Sequence, residues 1–249
     1  MNPLQQRLEA ATAHLDPPFA VVDLDTFEAN TRDLARRATG VPVRVASKSV
    51  RVRHLIEKTV AAQGFSGVMT YSAREAIWLA RRGQHDVLMG YPTVDRGALH
   101  ELAGDAELRS RIVLMVDHPA QLGLIRAAGA APDAPVRVCL DIDASLRIGS
   151  VHLGVRRSPV HSPAQAAEAA SVIMRQPGVQ LVGLMFYDAQ IAGLPDTSPA
   201  VRLVKARSAA ELARRRTAVL QAVHAVTKRP LALVNGGGTG SLEVDSADP

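Results

Sequence analysis

Lys48 closes an apolar run, Val43-Arg44-Val45-Ala46-Ser47-Lys48, and is one of only four lysines in a chain of 249 residues. The others, Lys58, Lys205 and Lys228, stand in polar stretches, and arginine carries the positive charge everywhere else. The division matters chemically. A guanidinium stays protonated and cannot attack a carbonyl, whereas a lysine at the mouth of a buried strand becomes a nucleophile when desolvation favours its neutral amine. A second motif, Gly236-Gly237-Gly238-Thr239-Gly240-Ser241, follows the apolar Leu231-Ala232-Leu233-Val234 and Asn235. Successive glycines let a chain turn sharply and aim several N–H groups at one anion, with Thr239 and Ser241 adding hydroxyls. No lysine follows as in a Walker loop, and the spacing is wrong for a dinucleotide fingerprint. The pair of motifs suits a carbonyl compound that carries a phosphate. The plain alternatives are a strand-end lysine reaching for solvent and a flexible glycine tail.

Such residues need rigid elements behind them. Short β-branched runs alternate with alanine-rich amphipathic stretches, which predicts strands at Phe19–Asp25, Val43–Lys48, Gly67–Ser72, Asp86–Gly90, Arg111–Asp117, Val136–Asp143, Leu181–Tyr187 and Leu231–Asn235. Helices are predicted over Thr26 to Arg37, Ser72 to Arg82 (with a Ser72/Glu75 capping box) and Ala209 to Thr227. The strand runs are continuously apolar, as strands buried on both faces require. Repeated βα units give a doubly wound sheet or a barrel, and about eight units in about 250 residues favour a (β/α)8 TIM barrel. Asp23, Asp25, Lys48, Tyr71, Tyr91, Asp117, Asp141, Asp143, Tyr187 and Asn235 recur at the carboxyl ends of the runs. In a barrel these ends converge on one face. Two long connections, Ala144 to Ser162 and Asp188 to Ser208, are candidate substrate walls there.

Composition excludes several classes. Aromatic residues make up 3% of a chain that is 47% apolar, so the core must be aliphatic. A net charge of +5 is spread over scattered arginines without aromatic interleaving or zinc spacing, which argues against nucleic acid. The single cysteine, Cys139, lies in an apolar run and excludes an internal disulfide framework. Neither a signal peptide nor a membrane-length apolar stretch is present, and a soluble, cytoplasmic protein is expected.

A phosphate cradle at one strand end and an isolated lysine at another describe pyridoxal phosphate on a barrel. The segments Pro18-Phe19-Ala20-Val21-Val22-Asp23-Leu24-Asp25, Arg44-Val45-Ala46-Ser47-Lys48-Ser49, Gly183-Leu184-Met185-Phe186-Tyr187-Asp188 and Gly236-Gly237-Gly238-Thr239 resemble the fold-type III pyridoxal-phosphate enzymes. The likeness is to the alanine racemase N-terminal-domain group that contains D-threonine aldolases, D-serine dehydratases and amino acid deaminase/aldolase proteins. It runs from about Pro17 to Ser241. The resemblance implies that Lys48 forms the Schiff base and acts as a base on one face of the cofactor. It assigns Gly237, Gly238 and Thr239 to the phosphate, with Gly240 and Ser241 completing the turn. It sets Tyr187 beside the ring, although a strand-end tyrosine can also serve the core. Relatives carry an Arg-x-Gly-Val motif whose arginine meets the cofactor's phenolic oxygen. Here the chain reads Asp141-Ile142-Asp143-Ala144-Ser145-Leu146-Arg147 and then His152-Leu153-Gly154-Val155, which leaves Arg147 and His152 as alternatives for that role.

The implied activity is that of a lyase acting on a small β-hydroxy D-amino acid, by retro-aldol cleavage or by dehydration. A racemase and a non-catalytic pyridoxal-phosphate homeostasis protein are the alternatives, with a cofactor-free sugar-phosphate barrel behind them. The family also implies a homodimer and a C-terminal β-domain that supplies metal ligands. The sequence shows no such ligands, and residues 1–249 read as the barrel domain alone, truncated before that domain. The expectation is a chain that binds the cofactor, turns over little, and is poorly soluble.

Overall fold

A computed structural model describes residues 2–195 and 198–246. Seven parallel strands form one curled sheet in the order β1 (Val43–Ala46), β2 (Phe65–Thr70), β3 (Val87–Met89), β4 (Ile112–Val116), β5 (Val136–Ile142), β8 (Val179–Phe186) and β9 (Leu233–Gly236). A separate antiparallel hairpin, β6 (Leu146–Ile148) with β7 (Val151–Leu153), lies in the connection after β5. The helices are α1 (Pro3–Thr12), α2 (Leu24–Arg37), α3 (Arg53–Val60), α4 (Ala73–Arg81), α5 (Arg96–Gly104), α6 (Ala106–Arg111), α7 (Pro119–Ala127), α8 (Pro163–Met174), α9 (Ala189–Ala192), α10 (Pro199–Thr227) and α11 (Leu242–Asp245). This is a barrel-type α/β fold whose seven strands leave the ring open. Its two edge strands share no backbone ladder. Arg44 on β1 instead donates to Asn235 Oδ1 on β9 at 3.2 Å, and Arg37 on α2 pairs with Glu243 on α11 at 2.6 Å.

Strand alternation sorts the side chains into two layers. Ile112, Leu114, Val116, Val138, Leu140, Ile142, Leu184 and Phe186 point outward onto α4, α5, α7, α8 and α10, and build the main core with small residues such as Ala76, Ala98, Ala166 and Ala170. The alternate positions, Leu88, Val113, Met115, Cys139 and Met185, fill the interior with Met69 and Leu233. The inward parity includes Asp141 near the end of β5 and, extended past the ends of β1 and β8, reaches Lys48 and Tyr187. The interior is closed at its other end by Arg44, whose guanidinium pairs with Asp86 at 2.8 Å.

Several expectations need correction. The predicted strand Phe19–Asp25 does not form. Residues 19–23 have no sheet partner, Phe19 is 46% exposed, and Asp23 caps α2 by accepting the Thr26 N–H at 2.8 Å. Apolar content raised that expectation, but with no neighbouring strand to pair its backbone the segment stays outside the sheet. The predicted eighth βα unit is therefore absent among the described residues. The long helix begins at Pro199 rather than Ala209, because Ser198 caps it and Pro199 suits its first turn. The first connection is not a bare loop, since it contains the β6–β7 hairpin. The second contains α9 and the first turns of α10, and its Asp196 and Thr197 lie outside the described residues. The capping box on α4 forms in shifted shape: Ser72 accepts the Glu75 N–H at 3.3 Å, but the Glu75 carboxylate reaches the Tyr71 N–H.

Candidate active site

The sheet ends abruptly after Ala46, and the next three residues turn toward α3. Ser47 is fully buried and anchors the turn by donating its N–H to the Met69 carbonyl at 2.9 Å. Lys48 follows it, exposed, with its Nζ 6.0 Å from the centre of the Tyr187 ring. It has no hydrogen-bond or ion-pair partner among the described residues. An amine held at a strand mouth and left unpaired is available to a ligand.

Tyr187 shares its ring with a second cation. The Arg157 guanidinium carbon lies 5.2 Å from the Tyr187 ring and 4.7 Å from the Tyr91 ring, so it is sandwiched between the ends of β8 and β3. Its Nη2 donates to the Gly90 carbonyl at 2.5 Å and approaches Met115 Sδ at 3.5 Å, while its Nε faces Asp141 at 3.5 Å. Arg157 thus roofs the interior and meets Lys48 across one aromatic ring. The sequence reading missed it, counting it only among the scattered arginines. A signal was present: Asp141 and Asp143 end a strand buried on both faces, and carboxylates buried there require cations nearby.

Arg147 and His152 sit opposite each other on the hairpin and both turn toward Asp143, at 2.5 and 3.6 Å. Neither makes a hydrogen bond, ion pair or ring contact with Lys48 or Tyr187. Asp143 is completely buried, and hydrogen bonds from Ser145 and Arg147 outweigh its burial to hold its pKa below the ordinary range. Asp141 behaves oppositely. Burial, reinforced by Asp117 and Asp143 against the attraction of Arg157, pushes its carboxyl up to about 7.

A testable consequence follows for Asp141. A carboxyl whose folded pKa exceeds its unfolded value stabilises the fold fully below about pH 4, and that contribution is lost as pH rises to 7. Asp141→Asn is expected to match the parent at pH 4 and to be the more stable of the two at pH 8, in urea unfolding. A variant less stable at pH 8 would mean that the ion pair with Arg157 outweighs the burial cost.

The glycine turn lies beside this mouth, because Phe186 and Gly236 are partners in register and Tyr187 and Gly237 follow them. Gly237 has φ +72, and a Cβ there would strike the Asp245 carboxylate. Ser241 is fully buried. Its Oγ accepts the Gly238 N–H at 3.0 Å and donates to Asp245 at 2.7 Å, so this hydroxyl closes the turn from within. Behind it, Asp188 is pushed up to about 7 by burial and by the charge of Asp245. The N–H groups of Thr239 and Gly240 keep no partner among the described residues, and the Thr239 side chain is exposed. An anion would meet the turn on that side, with Arg37, which holds the Thr239 carbonyl at 2.8 Å, adding positive charge. Asn235 is committed to the barrel seam, bonded to Arg44 and to Met185 Sδ.

Cys139 is fully buried and its thiol is pushed far up by burial, which suits packing rather than chemistry. Among the described residues, no three His, Cys, Asp or Glu side chains gather as a metal site, and no helix is long and apolar enough to cross a membrane.

The family model described as "Alanine racemase, N-terminal domain" matches residues 22–238. A D-threonine aldolase of Arthrobacter sp. is 25% identical over 237 residues, covering 94% of this chain and 58% of that protein. The crystal structure of D-threonine aldolase from Filomicrobium marinum superposes with a TM-score of 0.73 at 25% identity, covering 94% of this chain and 60% of the other. D-threo-3-hydroxyaspartate dehydratase from Delftia sp. HT23 has the same fold, with a TM-score of 0.60 at 22% identity over 90% of this chain and 60% of the other. The chain therefore spans about three-fifths of the length of these relatives.

Proposed function

This chain belongs to the alanine racemase N-terminal-domain family of fold-type III pyridoxal-phosphate enzymes, and on that premise we propose that it forms the cofactor-bearing part of a lyase acting on a small β-hydroxy D-amino acid. The observation that carries the reading is Lys48: an unpaired amine at the sheet's carboxyl edge, one ring away from Arg157.

The residues fit pyridoxal phosphate on three counts. Lys48 offers a free amine to its aldehyde. The unpaired N–H groups of Thr239 and Gly240, with the Thr239 hydroxyl, offer donors to its phosphate on a turn that stands beside Tyr187. Tyr187 presents an aromatic face between the two. When bound, this cofactor draws electrons away from the Cα of an amino acid joined to it, so that a bond at that carbon can break. The protein's own part is positional. Lys48 would hold the cofactor covalently and, once released, carry a proton at Nζ. Arg157 is fixed by the Gly90 carbonyl and by Asp141, so it can face a carboxylate without reorganising. Arg147, paired with Asp143, and His152, turned toward the same carboxylate, wall the mouth from the hairpin side. A divalent metal, a β-domain and a homodimer partner belong to the same proposal, as what membership of this family implies.

The test is spectroscopic. Adding pyridoxal phosphate should give a visible absorption band that survives dialysis and that borohydride fixes on the peptide containing Lys48. Label on Lys205 or Lys228, or none, would overturn the proposal. Thr239→Ala should weaken cofactor binding by about 1–3 kcal/mol, the range for hydrogen bonds to charged groups. Gly238→Val should be worse, since even a Cβ at that position lies 2.9 Å from the Ala192 Cβ and would prise the turn from α9. Unchanged affinity in both would leave the turn without a role in holding phosphate.

A further inference from the structure

Two carboxyls converge on one hydroxyl beneath the glycine turn. Ser241 Oγ has the Gly238 N–H at 3.0 Å, Asp245 Oδ2 at 2.7 Å and Asp188 Oδ1 at 3.4 Å, with the Gly238 carbonyl also at 3.4 Å. A serine hydroxyl has one proton to donate and two lone pairs with which to accept. The short contact assigns that proton to Asp245, and the Gly238 N–H takes one lone pair. The second lone pair faces Asp188. An ionised Asp188 would meet it with repulsion, whereas a protonated Asp188 can donate to it and complete the set. The other Asp188 oxygen, Oδ2, is buried without a hydrogen-bond partner, and the whole residue is fully buried. A carboxyl in that position is more stable as the neutral acid.

The surrounding charges act in the same direction. Asp245 on α11 faces Asp188 across Ser241, while Glu243 turns outward to Arg37 of α2 at 2.6 Å. On α10, Arg216 pairs with Asp245 at 2.9 Å, and Lys205 reaches the Leu194 carbonyl past the end of α9. If both carboxyls were ionised, Asp188, Asp245 and Arg216 would together hold one negative charge in excess behind the turn. Asp188 also bears on the turn through the backbone. It opens α9, and a Cβ at Gly238 or Gly240 would lie 2.9 Å from the Ala192 Cβ or 2.3 Å from its carbonyl oxygen. We propose that Asp188 is a positioning residue for the cofactor's phosphate: as the neutral acid it donates to Ser241 and leaves the turn receptive to an anion, and on ionising it lowers that affinity. Burial and the charge of Asp245 raise its pKa to about 7, which places the change near neutrality. The neutral form prevails below that value, so anion affinity is full there and is lost as pH rises through it. By linkage, an anion arriving at the turn draws a proton from solvent onto Asp188. The inference rests on the turn being the phosphate site and adds to that reading how the site is regulated.

The experiment follows backbone amides by NMR in the full chain, free of cofactor. Without ligand, the Gly238 amide should titrate in the parent with a midpoint near pH 7. Asp188→Asn keeps a donor for Ser241 but has no proton to lose, and it should abolish that titration. Asp245→Asn should move the midpoint to lower pH, because the charge opposing ionisation is gone. Sulfate, whose charge is constant over this range, is then titrated and read at the Thr239 and Gly240 amides, so that binding elsewhere does not enter. Its affinity should fall by about tenfold between about pH 6 and about pH 8.5 in the parent, within the usual range of coupling between sites. In Asp188→Asn it should stay level. A residue with a merely structural role would instead weaken sulfate binding in the variant at every pH and leave the slope in place. That result, a Gly238 amide that does not titrate, or a midpoint unmoved in Asp245→Asn would each overturn the inference. If Asp188→Asn does not fold, the Asp245→Asn midpoint decides. Sulfate that binds without pH dependence overturns the role of Asp188 and leaves the phosphate reading standing. Sulfate that shifts neither amide at any pH overturns the phosphate reading and the linkage with it.

Discussion

Replacing Lys48 by alanine is expected to abolish the visible band formed with pyridoxal phosphate, because the group that bonds to the cofactor is gone. The fold should be indifferent. Lys48 is exposed and makes no hydrogen bond or ion pair, so its removal should stay within about 0.5 kcal/mol in urea unfolding. Lys48→Arg separates charge from chemistry. It keeps a cation facing the Tyr187 ring, yet a guanidinium cannot form the bond. Both variants should therefore lose the band while keeping the melting temperature. A band retained in the arginine variant would move the attachment point to another residue and undo the assignment.

How much of this could be read from the chain divides by physical cause. Buried parallel strands announce themselves as continuous apolar runs, and seven of the eight predicted strands lie within about two residues of the observed β1 to β5, β8 and β9. Polar residues at their ends were also legible, because alternation carries Lys48, Asp141 and Tyr187 to one side of the sheet. Pairing was not. Phe19 to Val22 has strand-like composition, but a strand exists only when a neighbour takes its backbone bonds, and sequence does not name the neighbour. The β6–β7 hairpin was hidden for a related reason. Its strands are three residues each, and Gly149-Ser150 between them is a weak turn signal without long flanking runs. Arg157 was missed because an arginine's role depends on what it reaches in space. Its partners Gly90, Met115, Asp141 and Tyr187 come from four different strand ends.

Arg215 teaches the same lesson with a larger energetic consequence. It reads as the middle of a solvated Arg214-Arg215-Arg216 run on a long helix, yet its side chain is only 7% exposed. From α10 its Nη1 donates to the carbonyls of Asp143 at 2.8 Å and His161 at 3.2 Å, and its Nη2 to that of Ser145 at 3.1 Å. Glu211, one turn earlier, balances the charge at 2.7 Å. One guanidinium therefore clamps both ends of the connection that carries Arg147, His152, Arg156 and Arg157. Arg215→Ala removes a buried partner and leaves the Asp143 and His161 carbonyls without their side-chain donor, while Ser145 keeps only His161 Nε2, an arrangement that costs about 3–5 kcal/mol for two to three lost bonds. In a domain of this size that corresponds to a fall in Tm of roughly 10 °C. Arg215→Lys should recover little, because an ammonium cannot span three carbonyls in the planar geometry of the guanidinium. The loss should also be local before it is global. Protease should cut between Ala144 and Ser162 faster in the alanine variant than in the parent, at temperatures where both remain folded. A variant within 1 kcal/mol of the parent, with the connection still resistant to cleavage, would show that the hairpin is held by its own contacts with Asp143 and that the clamp is dispensable.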